Sequence, residues 1–381
     1  MSIKESAYPS IALLMMVKNE SKRILTTLSS VIGVVDGLIF YDTGSTDNTI
    51  ELIKDFSAKN SLPLYYKTGE FVDFSTSRNV SLDLADEHPE FKYLLLLDGN
   101  DEVKNGKRLK KLAKEFENKP NSSFMLCQEW KNLDNSITKY YNVRFIKNNK
   151  GWRYKGSVHE YIVNDNNNEY GVKADGVTIF QDRKFDAAKS MTRYAFDKEL
   201  LLKDYEKTPE DGRTLFYLAQ TYGCLDDLEN CYEFYKKRVN AGGFLEEIFH
   251  SYLRLGEVGT RMGKPWNILL DHYICAFELL GRVEPLIKLT EYYRSQKMWR
   301  SAYMFAKKAC DLEYPKNAVL FVDKNAYDYG RWHLLGIVAY YDEKYQDGYD
   351  ACKKAIDHSN QEIDKNNLKF YCEKLKKRIK N

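Results

Sequence analysis

Polar residues that could do chemistry gather at a few places in the first half of the chain: Asn19-Glu20, Asp42, Asp98-Gly99-Asn100-Asp101-Glu102 and His159-Glu160. Asp98 on a sharp turn can direct its carboxylate outward, and Asn100, two residues on, can offer its carbonyl oxygen. Hard oxygen ligands of this kind suit Mg or Mn. A carboxylate can equally serve as the base that deprotonates an attacking hydroxyl. Both tasks arise when a group leaves a nucleoside diphosphate, whose departing charge must be neutralised. Asp-Gly-Asn-Asp is also a favourable turn sequence, so the cluster acquires meaning only from the elements that place it.

Those elements are legible. Residues 11–17 are a continuous apolar run of strand length, followed by Lys18-Asn19-Glu20 and a helical pattern through Ile24, Leu28 and Val31. Residues 34–41 read as a second strand, with the polar turn Asp42-Thr43-Gly44-Ser45-Thr46-Asp47 ahead of a helix at 49–56. Residues 62–67 and 93–97 supply two more strands, with a helix over 75–85 between them. Strands alternating with helices predict a mostly parallel sheet covered on both faces. Such sheets bind ligands beyond the carboxyl ends of their strands, where Asn19, Glu20, Asp42 and Asp98 fall.

Beyond Ala187 the pattern becomes amphipathic helix almost without interruption, which divides the chain into domains at 1–185 and 186–381. A unit recurs in the second part. Cys231 to Lys237, Ala302 to Lys308 and Gly348 to Lys354 share a Tyr followed by Lys-Lys, and each Tyr has a hydrophobic residue four positions before it: Leu228, Trp299 and Tyr345. The first two tyrosines are 71 residues apart, about twice a 34-residue tetratricopeptide period. The third spacing, 46 residues, leaves room for an insertion around 313–330. Three to four helical hairpins stacked as a short solenoid are expected, with a peptide partner as the ligand class.

Composition narrows the field. The 381 residues are 43% hydrophobic, 14% aromatic and 30% charged, a mix that buries cores and still dissolves. A net charge of +3 with lysines interspersed among acids argues against nucleic acid, and the basic segment 374–380 reads as a solvated helix end. Seven scattered cysteines form no metal-type spacing and fit reduced core thiols. No apolar run approaches the length of a transmembrane segment, and no signal-like segment opens the chain, which predicts a cytoplasmic protein.

Taken together, Met16-Val17-Lys18-Asn19-Glu20, Tyr41 to Thr49, Ser77-Arg78-Asn79 and Leu97 to Glu102 resemble glycosyltransferase family 2, of the α/β GT-A (Rossmann-like) fold. Gly151 to Glu160 is similar to the Trp-x-x-Gly-x-Val-His-Glu segment of members that carry all-α tetratricopeptide-like (TPR-like) tails, and Phe216 to Tyr222 looks like the first repeat of such a tail. The resemblance implies an inverting transferase taking a sugar from a nucleotide-sugar donor, UDP-linked by expectation, to a protein, glycan or lipid-linked acceptor. It implies that Val17, Asn19, Glu20 and Asp42 hold the nucleoside and that Arg78 lies against base or diphosphate. Asp98 and Asn100 would bind a divalent metal, Mn or Mg, and Glu160 would be the catalytic base, with Glu129 and Asp134 in reserve.

Two departures stand out. Asn100 occupies a position where the family usually has Asp, although Asp101 adjoins it. Many GT-A enzymes also supply a late histidine to the metal, whereas the late strand here ends in Ile179-Phe180-Gln181-Asp182-Arg183, leaving His159 as the candidate ligand. His250, His272 and His333 lie on repeat helices and read as structural. An inactive transferase-like protein that works through its repeats is the alternative. A nucleotidyltransferase is a third reading, disfavoured because Lys18-Asn19-Glu20 replaces a glycine-rich phosphate-binding segment.

Overall fold

The computed structural model describes residues 8–131, 137–164, 171–182 and 190–379. The chain divides into two compact units, 1–204 and 205–381.

The first unit is built on β1 (Ile11–Val17), β2 (Gly37–Asp42), β3 (Leu64–Thr68) and β4 (Tyr93–Leu96), with α1 (Ile24–Ser30), α2 (Thr49–Asn60) and α3 (Phe74–Asp86) between them. These four strands are parallel, in the order β3-β2-β1-β4. The interior place of β1 explains its uninterrupted apolar run. Ile11, Leu13, Met15 and Val17 pack with Ile24, Leu28 and Ile53 on one face, while Ala12 and Leu14 face Leu82 and Ala85 on the other. Register sets the site: Val17 pairs with Asp42 and Leu14 with Leu96, so Asn19, Asp42 and Asp98 emerge at one edge.

The rest of the sheet is β5 (Glu102–Lys104), α4 (Lys107–Phe116), β6 (Ser123–Lys131), β7 (Ile137–Lys147) and β10 (Val172–Asp182). Here the expectation of a mostly parallel sheet needs correction. β7 runs antiparallel to β4 and β6, and β5 antiparallel to β10, while β6 and β10 are parallel. One of these pairings is between neighbours in sequence: β6 and β7 follow one another in the chain and pair antiparallel. The predicted second strand also begins later, at Gly37, because Val34 and Val35 close the turn after α1 by donating to the Val31 carbonyl. β8 (Trp152–Lys155) and β9 (Tyr161–Asn164) make a separate ribbon whose turn carries residues 156–160. Helix α5 (Ser190–Lys207) spans the division between the units.

The second unit is all-helical and TPR-like. Its hairpins are α6/α7 (Gly212–Cys224, Leu228–Asn240), α8/α9 (Leu245–Arg261, Trp266–Leu280), α10/α11 (Val283–Ser295, Trp299–Cys310) and α12/α13 (Arg331–Tyr341, Tyr345–His358), followed by α14 (Glu362–Ile379). Leu228, Trp299 and Tyr345, the residues four before each repeated Tyr, are the first residues of α7, α11 and α13. Each hairpin turn carries one left-handed residue: Asp226, Gly263, Lys297 and Glu343. The insertion falls between α11 and α12 and ends in a π-helical turn, Ala326–Gly330. All seven cysteines are free thiols; Cys231, Cys310 and Cys352 are buried, whereas Cys224 is exposed rather than in the core. Among the described residues no helix is long and apolar enough to cross a membrane.

Candidate active site

The edge formed by the ends of β1 and β2 is tightly cross-braced. Asn19 adopts a left-handed φ of 55°, which lets its side-chain oxygen accept from the Thr46 amide at 2.7 Å while its own amide donates to Ser45 Oγ at 3.0 Å. Asp42 is buried and accepts from Ser45 Oγ at 2.5 Å and from the Ser45 amide at 3.1 Å. The Val17 side chain lies in the core, and its carbonyl accepts from the Thr43 amide at 3.0 Å. Burial works to raise the Asp47 pKa, but hydrogen bonds from Ser21 and Thr49 outweigh it and hold the group at about 2.

The turn after β4 is shaped by Gly99. A Cβ there would lie 2.5 Å from Glu20 Cγ and Cδ, so only glycine lets Glu20 pack against this turn. The Asp98 amide donates to Asp101 Oδ2 at 2.7 Å, and the Asp101 amide returns to the Asp98 carbonyl at 3.1 Å. Asp101 is fully buried. Its Oδ1 accepts from Gln181 Nε2 at 2.6 Å, and the same nitrogen lies 3.3 Å from Asn100 Oδ1.

Asp98 is held by two arginines. Arg78 Nη2 donates to Oδ1 at 2.5 Å and Arg144 Nη2 to Oδ2 at 3.0 Å. Arg78 Nε donates in turn to Glu160 Oε1 at 2.6 Å, and its guanidinium stands over the Tyr154 ring at 5.4 Å. Arg78 comes from α3, whose N-cap Asp73 accepts from the Thr76 amide at 2.7 Å. Asn79, next in sequence, takes the Tyr154 amide at 2.7 Å and donates to the Tyr154 carbonyl at 3.0 Å, which fixes β8 against α3. The loop bearing Glu160 is pinned by Asp204, which accepts from the Ser157 amide at 3.1 Å and from its hydroxyl at 2.7 Å.

Electrostatics follow the geometry. Burial raises the Asp98 pKa, but the charges of Arg78 and Arg144 overcome that and hold the group well below the usual carboxylate range. Asp101, buried and beside the Asp98 charge, is pushed up to about 6. Both guanidinium pKa values rise, because the neighbouring carboxylates outweigh the penalty of burial.

The family model for glycosyl transferase family 2 matches residues 12–168, which includes every residue just placed except Gln181 and Asp204. Residues 12–168 form a glycosyl transferase family 2 domain. Glycosyltransferase SunS of the SPbeta prophage in Bacillus subtilis (strain 168) is 25% identical over 254 residues, 62% of this chain and 55% of that protein. The chain thus spans about half the length of the curated relatives it matches. Among solved structures, S. aureus TarS overlaps 68% of this chain and 54% of its own at 12% identity, and the TPR protein YrrB 47% and 84% at 15%; TM-scores of 0.40 and 0.34 make both likenesses slight.

Within the family 2 domain, Arg78, Asp98 and Glu160 converge as one connected group, although 20 and 82 residues separate Arg78 from its partners in sequence. Glu129 lies on β6 in an ion pair with Lys139 at 2.9 Å, and Asp134 falls outside the described residues. His159 is exposed, with φ 54°, in the β8–β9 turn. A divalent metal is the cofactor the family implies, and the donors at the turn do not fit one: both Asp98 oxygens accept from guanidinium groups, and the Asn100 oxygen faces Gln181. Among the described residues no three His, Cys, Asp or Glu are grouped to hold a metal ion.

Arg144 is the main residue that sequence reading missed. It is the extra residue of a β-bulge: Phe124 pairs with Phe145 but Met125 with Val143. Bulges re-aim side chains, and this one brings Arg144 to Asp98. Along the chain Gln181 marks only the lack of a histidine at the end of the late strand, yet its amide nitrogen reaches the acidic turn directly.

Proposed function

We propose that the first unit is an inverting glycosyltransferase that moves a sugar from a nucleoside-diphosphate sugar, UDP-linked for the first trial, to a protein, glycan or lipid-linked acceptor. The observation that carries this reading is the Arg78 bridge between Asp98 and Glu160, at the edge where Asn19 and Asp42 also emerge. In this scheme Val17, Asn19, Glu20 and Asp42 border the nucleoside and its ribose, Arg78 meets the diphosphate, and Asp98 belongs to the donor site as the carboxylate that holds Arg78. Glu160 is the base. As the acceptor oxygen bonds to the anomeric carbon, the carbon–phosphate oxygen bond breaks, its electron pair leaves with the diphosphate, and the acceptor proton passes to Glu160. Catalysis is assigned to residues 1–185, and the helical repeats of 186–381 are assigned to acceptor choice, with an extended peptide as the first partner to test.

The test is product analysis with a panel of UDP-, GDP- and dTDP-sugars. Release of free nucleoside diphosphate supports the reading. Pyrophosphate as the product would indicate nucleotidyl transfer instead, and no release from any donor would leave the repeats as the working part of the molecule.

A further inference from the structure

The side-chain oxygens of Asp98, Asp101 and Asn100 at the turn each already face a nitrogen donor. Asp98 Oδ1 and Oδ2 accept from Arg78 and Arg144, Asp101 Oδ2 and Oδ1 from the Asp98 amide and Gln181, and Asn100 Oδ1 lies 3.3 Å from Gln181 Nε2. A hard divalent ion would have to share these oxygens with the donors already on them, and it would also have to enter beside two guanidinium charges.

Two guanidinium groups stand at the same place, facing the carboxylates of Asp98, Asp101 and Glu160. Arg78 and Arg144 are each 12% exposed in the side chain and meet at one carboxylate. Arg144 Nε has no hydrogen-bond partner among the described residues, and its Nη1 reaches Asp101 only at 3.9 Å. A guanidinium presents planar, paired N–H groups that match phosphate oxygens, and its charge does not titrate at working pH.

We infer that the diphosphate of the donor is met by Arg78 and Arg144 rather than by a carboxylate-bound divalent cation, with Arg144 a diphosphate-binding residue. This rests on the transferase reading. The diphosphate accepts N–H groups that Asp98 leaves unused, and negative charge growing on the leaving group develops against two fixed, poorly hydrated cations. Asp98 keeps the two guanidinium groups apart and oriented.

The experiment is thermal stabilisation of the full chain by UDP, GDP and dTDP, each with EDTA and with Mn²⁺, on wild type, Arg144→Met and Arg144→Lys. One nucleotide is expected to raise the Tm of wild type equally in EDTA and in Mn²⁺. Arg144→Met is expected to bind it at least ten times more weakly, and Arg144→Lys between the two. Stabilisation that appears only with Mn²⁺ overturns the inference and leaves the transferase reading intact. Wild-type affinity in Arg144→Met overturns it as well. No stabilisation of folded wild type under either condition removes the transferase reading and this inference together. The EDTA comparison on wild type decides the matter even if the Met variant does not fold.

Discussion

Buried arginines occur in both units, and they are used differently. In the helical unit Arg238 donates through Nε and Nη2 to Glu247, through Nη1 to the Gly242 carbonyl at 2.7 Å and again through Nη2 to the Phe244 carbonyl at 3.2 Å. Arg282 is bound to Glu284 and reaches the carbonyls of Leu320 and Phe321, tying down the insertion before α12. Each guanidinium there spreads its donors over one carboxylate and two main-chain oxygens. In the family 2 domain Arg78 and Arg144 are bound to carboxylates and to no main-chain oxygen among the described residues. Main-chain oxygens cannot be moved by a ligand, whereas carboxylates on a turn can exchange one partner for another. The first pattern fastens backbone segments together, and the second is the one the inferred diphosphate contact would use.

The sharpest break would come at Glu160. If it is the base, Glu160→Gln lowers nucleoside diphosphate release in the presence of acceptor by roughly 10²- to 10⁴-fold. If it is only a counter-ion for Arg78, the loss appears in the urea unfolding midpoint and the rate survives. Next in size is Glu247→Ala, which leaves Arg238, 1% exposed, as an unpaired buried charge. About 3–5 kcal/mol of stability should be lost in denaturant unfolding, with nucleotide affinity unchanged. The comparison fails if Arg144→Met costs as much stability as Glu247→Ala.

Acid should also separate the two units. Burial, helped by the Arg282 charge, depresses the His250 pKa from 6.5 to about 4. Its contribution is present above 6.5 and is lost as pH falls toward 4, by roughly 3 kcal/mol. Asp101, raised from 3.8 to about 6, has the opposite sign: its contribution is full below 3.8 and fades as pH rises through 6. Acidification from pH 6.5 to 4.5 should therefore weaken the helical unit while protonation of Asp101 favours the other one, and His250→Gln should flatten the helical unit's profile in chemical denaturation. The smallest expected effect is at the α3 cap, where Asp73→Ala should cost about 1 kcal/mol by thermal melting.

Much of this molecule could be read along the chain. The apolar run at 11–17 is β1, the polar residues after the first, second and fourth strands emerge at one sheet edge, and the residues that mark the repeats begin three of the helices. Periodicity reports such things because a strand or helix imposes its repeat on consecutive residues. Arg144 could not be read that way. In sequence it is one polar residue between Val143 and Phe145, and only the two-against-one pairing of β6 with β7 directs it to Asp98. The same holds for Gln181, whose contact with Asn100 and Asp101 spans 81 and 80 residues. The sequence by itself determined which segments become strands and helices and which residue types reach the sheet edge. Only the tertiary structure decided that two arginines would converge on Asp98, because bulges and cross-strand contacts arise from pairing between distant segments.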